Sequence, residues 1–275
     1  MKSGILLLLV LLAGFFTSAQ GYSGNWDTYV MGVENKPVSV MVDLAFGTSP
    51  EAKERPNAII IRLKLLSVLK NGMPSDKEVK VLNEIEDSLV EKLSSSLQTL
   101  YVGRYTASGV RDFYFYSNDT LDYKHHIAKA LQKYPAFRWM AKAQPDEQKS
   151  NYYDVLYPTS EEMERIQNRR VVDELRSRGD IITAPRRVDH FIFFKTEADR
   201  KAFAIVVQDS GFVVENAGQE QGVKDRPYSL QISRVDKIDY DNIDKVTLYL
   251  WKLALQHFAK YDGWETFVVR EEGKE

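Results

Sequence analysis

Two histidines in the last third of the sequence have the side chains best suited to catalysis. His190 lies on the apolar side of a predicted strand, and His257 lies on the apolar side of a predicted helix. If both met near Arg186 or Arg187, they could act as acid and base on a phosphodiester. Asp189 cannot form a dyad with His190, because successive side chains of a strand point to opposite faces. The alternative is that both histidines are core residues with satisfied hydrogen bonds.

A second group of residues combines arginine and aromatic side chains, which are common anchors of protein interfaces. Ser229, Gln231 and Ser233 alternate with apolar residues and form a polar strand face suited to solvent or a partner. Arg104 and Arg111 lie among tyrosines, so the alternative for them is cross-strand aromatic packing. The residues for which we predict contact with a protein partner are Arg104, Arg111, Arg186, Arg187, Asp189, His190, Tyr261, Asp262 and Trp264.

The sequence carries none of the local motifs of the common enzyme classes. His125 and His126 are consecutive positions of a predicted helix and do not face the same ligand. No nucleophile elbow, zinc-binding helix motif, dinucleotide fingerprint or cysteine is present. We therefore predict no metal and no cofactor, and we favour a protein that is not an enzyme. The formal net charge of −2 argues against binding to nucleic acid by charge alone.

The first nineteen residues have the pattern of a secretory signal. Met1-Lys2-Ser3 is a short basic start, the run from Ile5 to Phe16 is apolar, and Thr17-Ser18-Ala19 ends in small residues. The apolar run is too short to span a bilayer as a helix. We therefore expect cleavage after Ala19, a periplasmic or secreted protein, and no membrane anchor after cleavage. With no cysteine, neither a lipid anchor nor disulfides are expected.

The order of the predicted elements is the same in both halves of the chain. From Ile59 onward the N-terminal half is predicted as strand, helix, strand, strand, helix, strand, and the first helix begins with a capping box at Ser75 and Glu78. The C-terminal half repeats this order from Val188. This is the order of the ferredoxin-like fold. We therefore predict an α+β protein with two ferredoxin-like (βαββαβ) α/β sandwich domains with antiparallel sheets, joined by a helix.

The C-terminal domain is predicted to end with a long amphipathic helix. Asp241 is its expected N-cap, Gly263 its expected left-handed end, and Thr266–Val269 the final strand. The polar segment with Pro145 is the best linker candidate. The predicted division is therefore a signal peptide at 1–19, an N-terminal domain at 20–143, a linker and connecting helix at 144–180, and a C-terminal domain at 181–275.

Two segments of the C-terminal half resemble a known family. Phe258-Ala259-Lys260-Tyr261-Asp262-Gly263-Trp264-Glu265-Thr266 looks like the end of the RraB domain, the regulator of ribonuclease E activity. Val188-Asp189-His190-Phe191 and, after a helix, Gly211-Phe212-Val213-Val214-Glu215 look like its start. The resemblance covers residues 186–269. The half from Trp26 to Tyr157 is similar to a bacterial domain family of unknown function that is sometimes fused to RraB-like domains.

The resemblance implies a non-catalytic regulator that binds a protein partner through the surface of its sheet and loops. Family regulators bind ribonuclease E in the cytoplasm, whereas the leader here predicts export, so we expect a different and unidentified partner. Two alternatives stay open. One is an envelope hydrolase that acts on a phosphodiester or another substrate with His190 and His257. The other is a cytoplasmic ribonuclease regulator whose N-terminus only resembles a signal.

Overall fold

The computed structural model describes residues 22–270, in which two antiparallel sheets form two domains. The predicted signal peptide, residues 1–19, lies outside the described residues. The strands of the N-terminal domain are β1 (Trp26–Val33), β2 (Lys36–Asp43), β3 (Asn57–Lys64), β4 (Leu100–Ala107), β5 (Val110–Ser117) and β6 (Trp139–Pro145). Its helices are a 3-10 turn at Phe46–Thr48, α1 (Pro50–Lys53), α2 (Asp76–Leu97), α3 (Tyr123–Ala130) and α4 (Ser150–Tyr153).

The N-terminal sheet has the strand order β1-β2-β4-β5-β3-β6. The strands β3, β4, β5 and β6, together with α2 and α3, form a complete ferredoxin-like unit. Numbered from β3 as the first strand, their order across the sheet is 4-1-3-2, which is the ferredoxin-like order. The hairpin of β1 and β2 extends this unit beside β4. The predicted ferredoxin-like arrangement is therefore confirmed, with two additional strands at one edge.

Both faces of the N-terminal sheet are covered for part of their area. On one face α2 and α3 bury a core that includes Leu82, Ile85 and Ile127. On the other face Tyr152 of α4 packs against Phe46 in a second core. The segment proposed as a linker therefore contains the end of β6 and α4, and the predicted boundary at 143 lies inside β6.

The connecting helix α5 (Ser160–Ser177) begins with a complete capping box formed by Thr159 and Glu162. Its buried Asn168 donates from Nδ2 to the Asp244 carboxylate at 2.8 Å and accepts from Trp264 Nε1 at 2.9 Å. The same helix pairs with the N-terminal domain through Arg170 and Asp27, whose ion pair is 2.6 Å long. The helix thus contacts both domains.

The C-terminal domain is a four-stranded unit with the strand order β10-β7-β9-β8. Its elements are β7 (Arg186–Phe194), α6 (Glu197–Asp209), β8 (Val213–Gln219), β9 (Tyr228–Asp236), α7 (Tyr240–Gln256) and β10 (Lys260–Glu265). This order is the ferredoxin-like one, so the structure confirms the second unit as well. Both helices cover one face of the sheet, where Phe203 and Leu250 meet Ile192 in the core.

The end of the C-terminal domain differs from the prediction. The N-cap of α7 is Asp239, whose side chain accepts from the Asn242 amide, so the assignment of Asp241 was wrong. The helix ends at Gln256, and Phe258 takes the left-handed conformation with φ +54°. Gly263, with φ +112°, lies in a β-bulge of the last strand. The predicted final strand at Thr266–Val269 was therefore wrong, because β10 contains the Tyr-Asp-Gly-Trp run instead.

Candidate partner-binding face

The C-terminal sheet has one face that no described helix covers. Along β7, Val188, His190 and Ile192 are fully buried, whereas the alternate side chains stay partly exposed. The strand period of two therefore separates a core side from an open side. We call the open side the open sheet face. It is formed by Arg187, Asp189, Phe191, Phe193, Val213, Glu215, Ser229, Gln231 and Ser233.

A polar network crosses the centre of the open sheet face. Arg187 pairs with Asp189 at 2.7 Å and with Glu215 at 3.3 Å. Gln231 donates to Asp189 at 3.0 Å, and Ser233 donates to Glu215 at 2.5 Å. The hydrogen bond from Arg187 holds the pKa of Asp189 below its usual range, and the Gln231 bond adds to this effect. Both carboxylates are therefore held in place before any partner arrives.

Two aromatic side chains lie beside this network on β7. Phe191 and Phe193 are half-buried on the open side, where they stand opposite Gln231 and Ser229 of β9. Half-exposed aromatic rings next to ordered polar groups are the combination found at the energetic centres of protein interfaces. The arrangement is suited to binding a protein surface. The sequence reasoning missed both phenylalanines, although their alternation with Ile192 was a usable signal.

Four of the predicted contact residues belong to the core side of the domain. Arg186 is buried and pairs with Asp180 at 2.5 Å. His190 is fully buried, and its Nδ1 shares a 2.9 Å hydrogen bond with the hydroxyl of buried Tyr261. Trp264 is half-buried and binds the connecting helix, as described above. The structure therefore places only Arg187 and Asp189 of the predicted set on the open sheet face.

The two histidines of the catalytic alternative are not brought together. His190 packs against the rings of Phe212 and Tyr261, whereas the half-buried ring of His257 packs against Phe203. Burial, with a smaller contribution from the charge of Arg234, lowers the pKa of His190 to about 3. Within residues 22–270, no hydrogen bond joins His190 to His257. His190 therefore has the environment of a neutral core residue.

The remaining predicted contact residues are not among the residues that form the open sheet face. Asp262 is exposed and pairs with Lys260 at 2.5 Å. Arg104 forms an ion pair with Glu86, which also accepts a hydrogen bond from Tyr101. Arg111 is buried, and burial together with the charge of Arg104 lowers its pKa to about 10. Arg104 and Arg111 thus lie within the packing of the N-terminal domain.

The described part of the chain has neither a metal-binding cluster nor a helix that could cross a membrane. Across residues 22–270, no group of three or more His, Cys, Asp or Glu side chains is arranged to hold a metal ion. His125 and His126 contact each other edge to face, with their ring centroids 5.7 Å apart. In the same residues no helix has the length and apolar character needed to cross a bilayer.

The fold and the site together define a two-domain α+β protein with an open sheet face on its second domain. Residues 24–157 match the family model described as "Family of unknown function (DUF695)". Residues 165–266 match the family model described as "Regulator of ribonuclease activity B". The chain thus combines a domain of unknown function with an RraB-like domain, and both resemblances are confirmed.

Solved structures also match this chain. A search of the curated proteins finds no match. A crystal structure of an unknown protein from Galdieria sulphuraria matches with 9% identity and a TM-score of 0.22, covering 78% of this chain and 99% of that one.

Proposed function

We propose that the protein is an exported, non-catalytic regulatory protein that binds a protein partner through its open sheet face. The observation that carries this proposal is the combination of Phe191 and Phe193 with the network around Arg187, on a face that no helix of residues 22–270 covers. Aromatic anchors beside preorganised polar groups give an interface both affinity and orientation. The match to a regulator of ribonuclease activity supports the same class of function.

A binding role also agrees with the condition of the ionisable groups. A general acid or base needs a pKa near the working pH and access to its substrate. His190 has neither, because burial holds its pKa at about 3. The carboxylates of Asp189 and Glu215 are engaged by Arg187 and by two neutral side chains of β9. The open sheet face therefore supports recognition better than proton transfer.

Photo-crosslinking can test the contact directly. A photoreactive amino acid at Gln231, in the middle of the open sheet face, is expected to give one discrete adduct in the native host. Its mass, determined after gel separation, would identify the partner. The matched control is the same amino acid at Ile205, which is 62% exposed on α6 on the other side of the sheet. Adducts of equal yield at both positions, or none at Gln231, would contradict the proposal.

The substitution Phe193→Ala tests whether Phe193 contributes to the contact that gives the adduct. Adding Phe193→Ala to the crosslinking variant is expected to lower the adduct yield by about tenfold, since truncating an interface anchor often costs that much affinity. Ile205→Ala removes an exposed side chain from the helical side and should leave the yield unchanged. An unchanged yield with Phe193→Ala would place the contact elsewhere.

Export is tested by the mass of the mature N-terminus. Fractionation of the native host followed by mass spectrometry is expected to find a chain that begins at Gln20 in the periplasm or the medium. Removal of the leader would direct the search to envelope or extracellular partners. An intact Met1 in the cytoplasm would contradict export and would favour direct control of a ribonuclease.

A further inference from the structure

The second available surface is the free edge of the N-terminal sheet. Among the described strands, β6 is the last in its sheet and pairs on one side only, with β3. The Lys64 amide donates to the Arg138 carbonyl at 2.9 Å. Because backbone groups of an antiparallel strand alternate in direction, Trp139 and Ala141 direct theirs away from β3. The contact of Ala141 O with the Tyr123 hydroxyl is long, at 3.5 Å. The edge can therefore accept another strand.

The side chains along one face of this edge form a cationic groove. Arg138, Met140 and Lys142 are exposed at successive alternate positions, and Met140 is 67% exposed. The groove has a volume of about 530 Å³. It joins a second hollow of about 280 Å³ through the shared residues Arg62 and Met140. Apolar residues contribute to the lining of both, and the side chains of Ile60, Val110 and Met140 share the strand face of Arg138 and Lys142.

Most of the positive charge in the groove is not neutralised by the protein itself. Arg62 is paired with buried Asp112 through two hydrogen bonds of 2.7 and 2.6 Å. Within residues 22–270, no carboxylate lies within 4.0 Å of the amino or guanidinium nitrogens of Lys64, Arg138 or Lys142. The groove therefore has three cations without a carboxylate partner among these residues. Arg138 and Lys142 lie on either side of Met140 along β6, and Lys64 lies opposite Arg138 on β3.

We propose that β6 binds an extended acidic segment of a protein partner by antiparallel strand addition. Its carboxylates, four residues apart, face Arg138 and Lys142, and the residue midway between them is apolar and covers Met140. Directly opposed side chains of adjacent strands lie about 4.5–5.5 Å apart, which is within ion-pair reach. Two-residue steps of about 6.7 Å keep the acidic residues in register with the cations. A ligand with a single negative charge would use only one of them.

This surface belongs to the N-terminal domain, so the inference does not depend on the open sheet face. The test is isothermal titration calorimetry of the full-length protein with the peptide Ser-Glu-Thr-Leu-Thr-Glu-Ser at low ionic strength. Saturable binding of this peptide is expected, and the peptide with lysine in place of both glutamates should not bind. Methylation of both threonine amides, which face the edge, should abolish binding. Methylation of the leucine amide, which faces away, should preserve it.

Charge reversal on the protein locates the site. The double variant Arg138→Glu/Lys142→Glu is expected to weaken peptide binding by about tenfold or more, since two attractive pairs become repulsive. The control Lys80→Glu/Lys133→Glu makes the same change in net charge. Both of its lysines are exposed, in α2 and after α3 on the opposite side of the sheet, and the affinity should stay unchanged. Circular dichroism confirms that both double variants are folded.

Three results would overturn the inference. The first is equal binding of the glutamate and lysine peptides, and the second is equal binding by the charge-reversed protein. The third is the absence of peptide binding together with binding to phosphatidylglycerol vesicles that the Arg138→Glu/Lys142→Glu variant loses. In that case the cationic groove meets an anionic lipid surface and not a strand.

Discussion

Arg186→Ala is expected to lower the free energy of unfolding of the C-terminal domain by about 3–5 kcal/mol, since it leaves the charge of Asp180 buried without an opposite charge. Both side chains of this ion pair are almost completely buried, with exposures of 1% and 0%. Arg186 also donates to the carbonyl of Phe267 at 3.2 Å, and Asp180 accepts from the Val269 amide at 3.0 Å. The ion pair therefore connects the segment after β10, at Phe267 and Val269, to the first residue of β7.

The adjacent arginine is a matched control for this prediction. Arg187 is of the same type, but 47% of its side chain is exposed on the open sheet face. Arg187→Ala should leave the unfolding free energy near the wild-type value, because exposed ion pairs contribute little. Denaturant unfolding, followed by circular dichroism, measures both. A loss below about 1 kcal/mol for Arg186→Ala would mean that water reaches Asp180 when the arginine is absent.

The role of Arg186 shows why part of the site could not be predicted from the sequence. Two consecutive arginines suggest a basic surface. No local sequence pattern shows that Asp180 forms an ion pair with Arg186 and not with Arg187. The alternation along β7 held the relevant signal, because Arg186 shares its side with Val188 and His190. The same alternation places Arg187 and Asp189 on the open side. Strand parity, and not residue type, divides the predicted contact residues correctly.

The fold was predictable where short-range signals decide it. Thr159 and Glu162 form a capping box at the start of α5, and Thr196 accepts from the amide of Asp199 at the start of α6. Strand β1 had no such signal, since Tyr29 is its only residue that is fully buried within the described structure. The end of α7 was misplaced because Ala259 and Tyr261 continue the apolar content of the helix. Both are buried, but Ala259 precedes β10 and Tyr261 is a residue of that strand.

The catalytic alternative and the binding proposal differ in what they require of His190. As an acid or base, this residue would have to gain and lose a proton in the native state. In the structure its Nδ1 contacts Tyr261, whose pKa is itself raised by burial and by the nearby Glu164 carboxylate. Charge on either ring is thus disfavoured by the same apolar surroundings. His190 is expected to affect stability as a function of pH and to leave partner binding unchanged.

His190→Gln is expected to flatten the dependence of stability on pH. Burial lowers the pKa of His190 to about 3 in the folded state, against an ordinary value of 6.5. Between pH 3 and pH 6.5 the unfolded chain binds a proton at His190 that the folded chain does not bind. The contribution of neutral His190 to the free energy of unfolding is therefore complete above pH 6.5 and is lost as pH falls toward 3. From pH 6 to pH 4 the wild type should lose roughly 1.4 kcal/mol per pH unit more than the variant.

Denaturant unfolding of the wild type and of His190→Gln from pH 6 to pH 4 measures the difference between their slopes. Carboxylates titrate equally in both proteins, so they do not contribute to this difference. The control is His125→Gln, which removes an exposed histidine of α3 and should keep the wild-type slope. Identical slopes for wild type and His190→Gln would show that His190 can take up a proton in the folded protein. A core histidine that stays neutral in the folded protein lowers the stability as pH falls, because only the unfolded chain binds the proton. Identical slopes would therefore support a role of His190 as an acid or base.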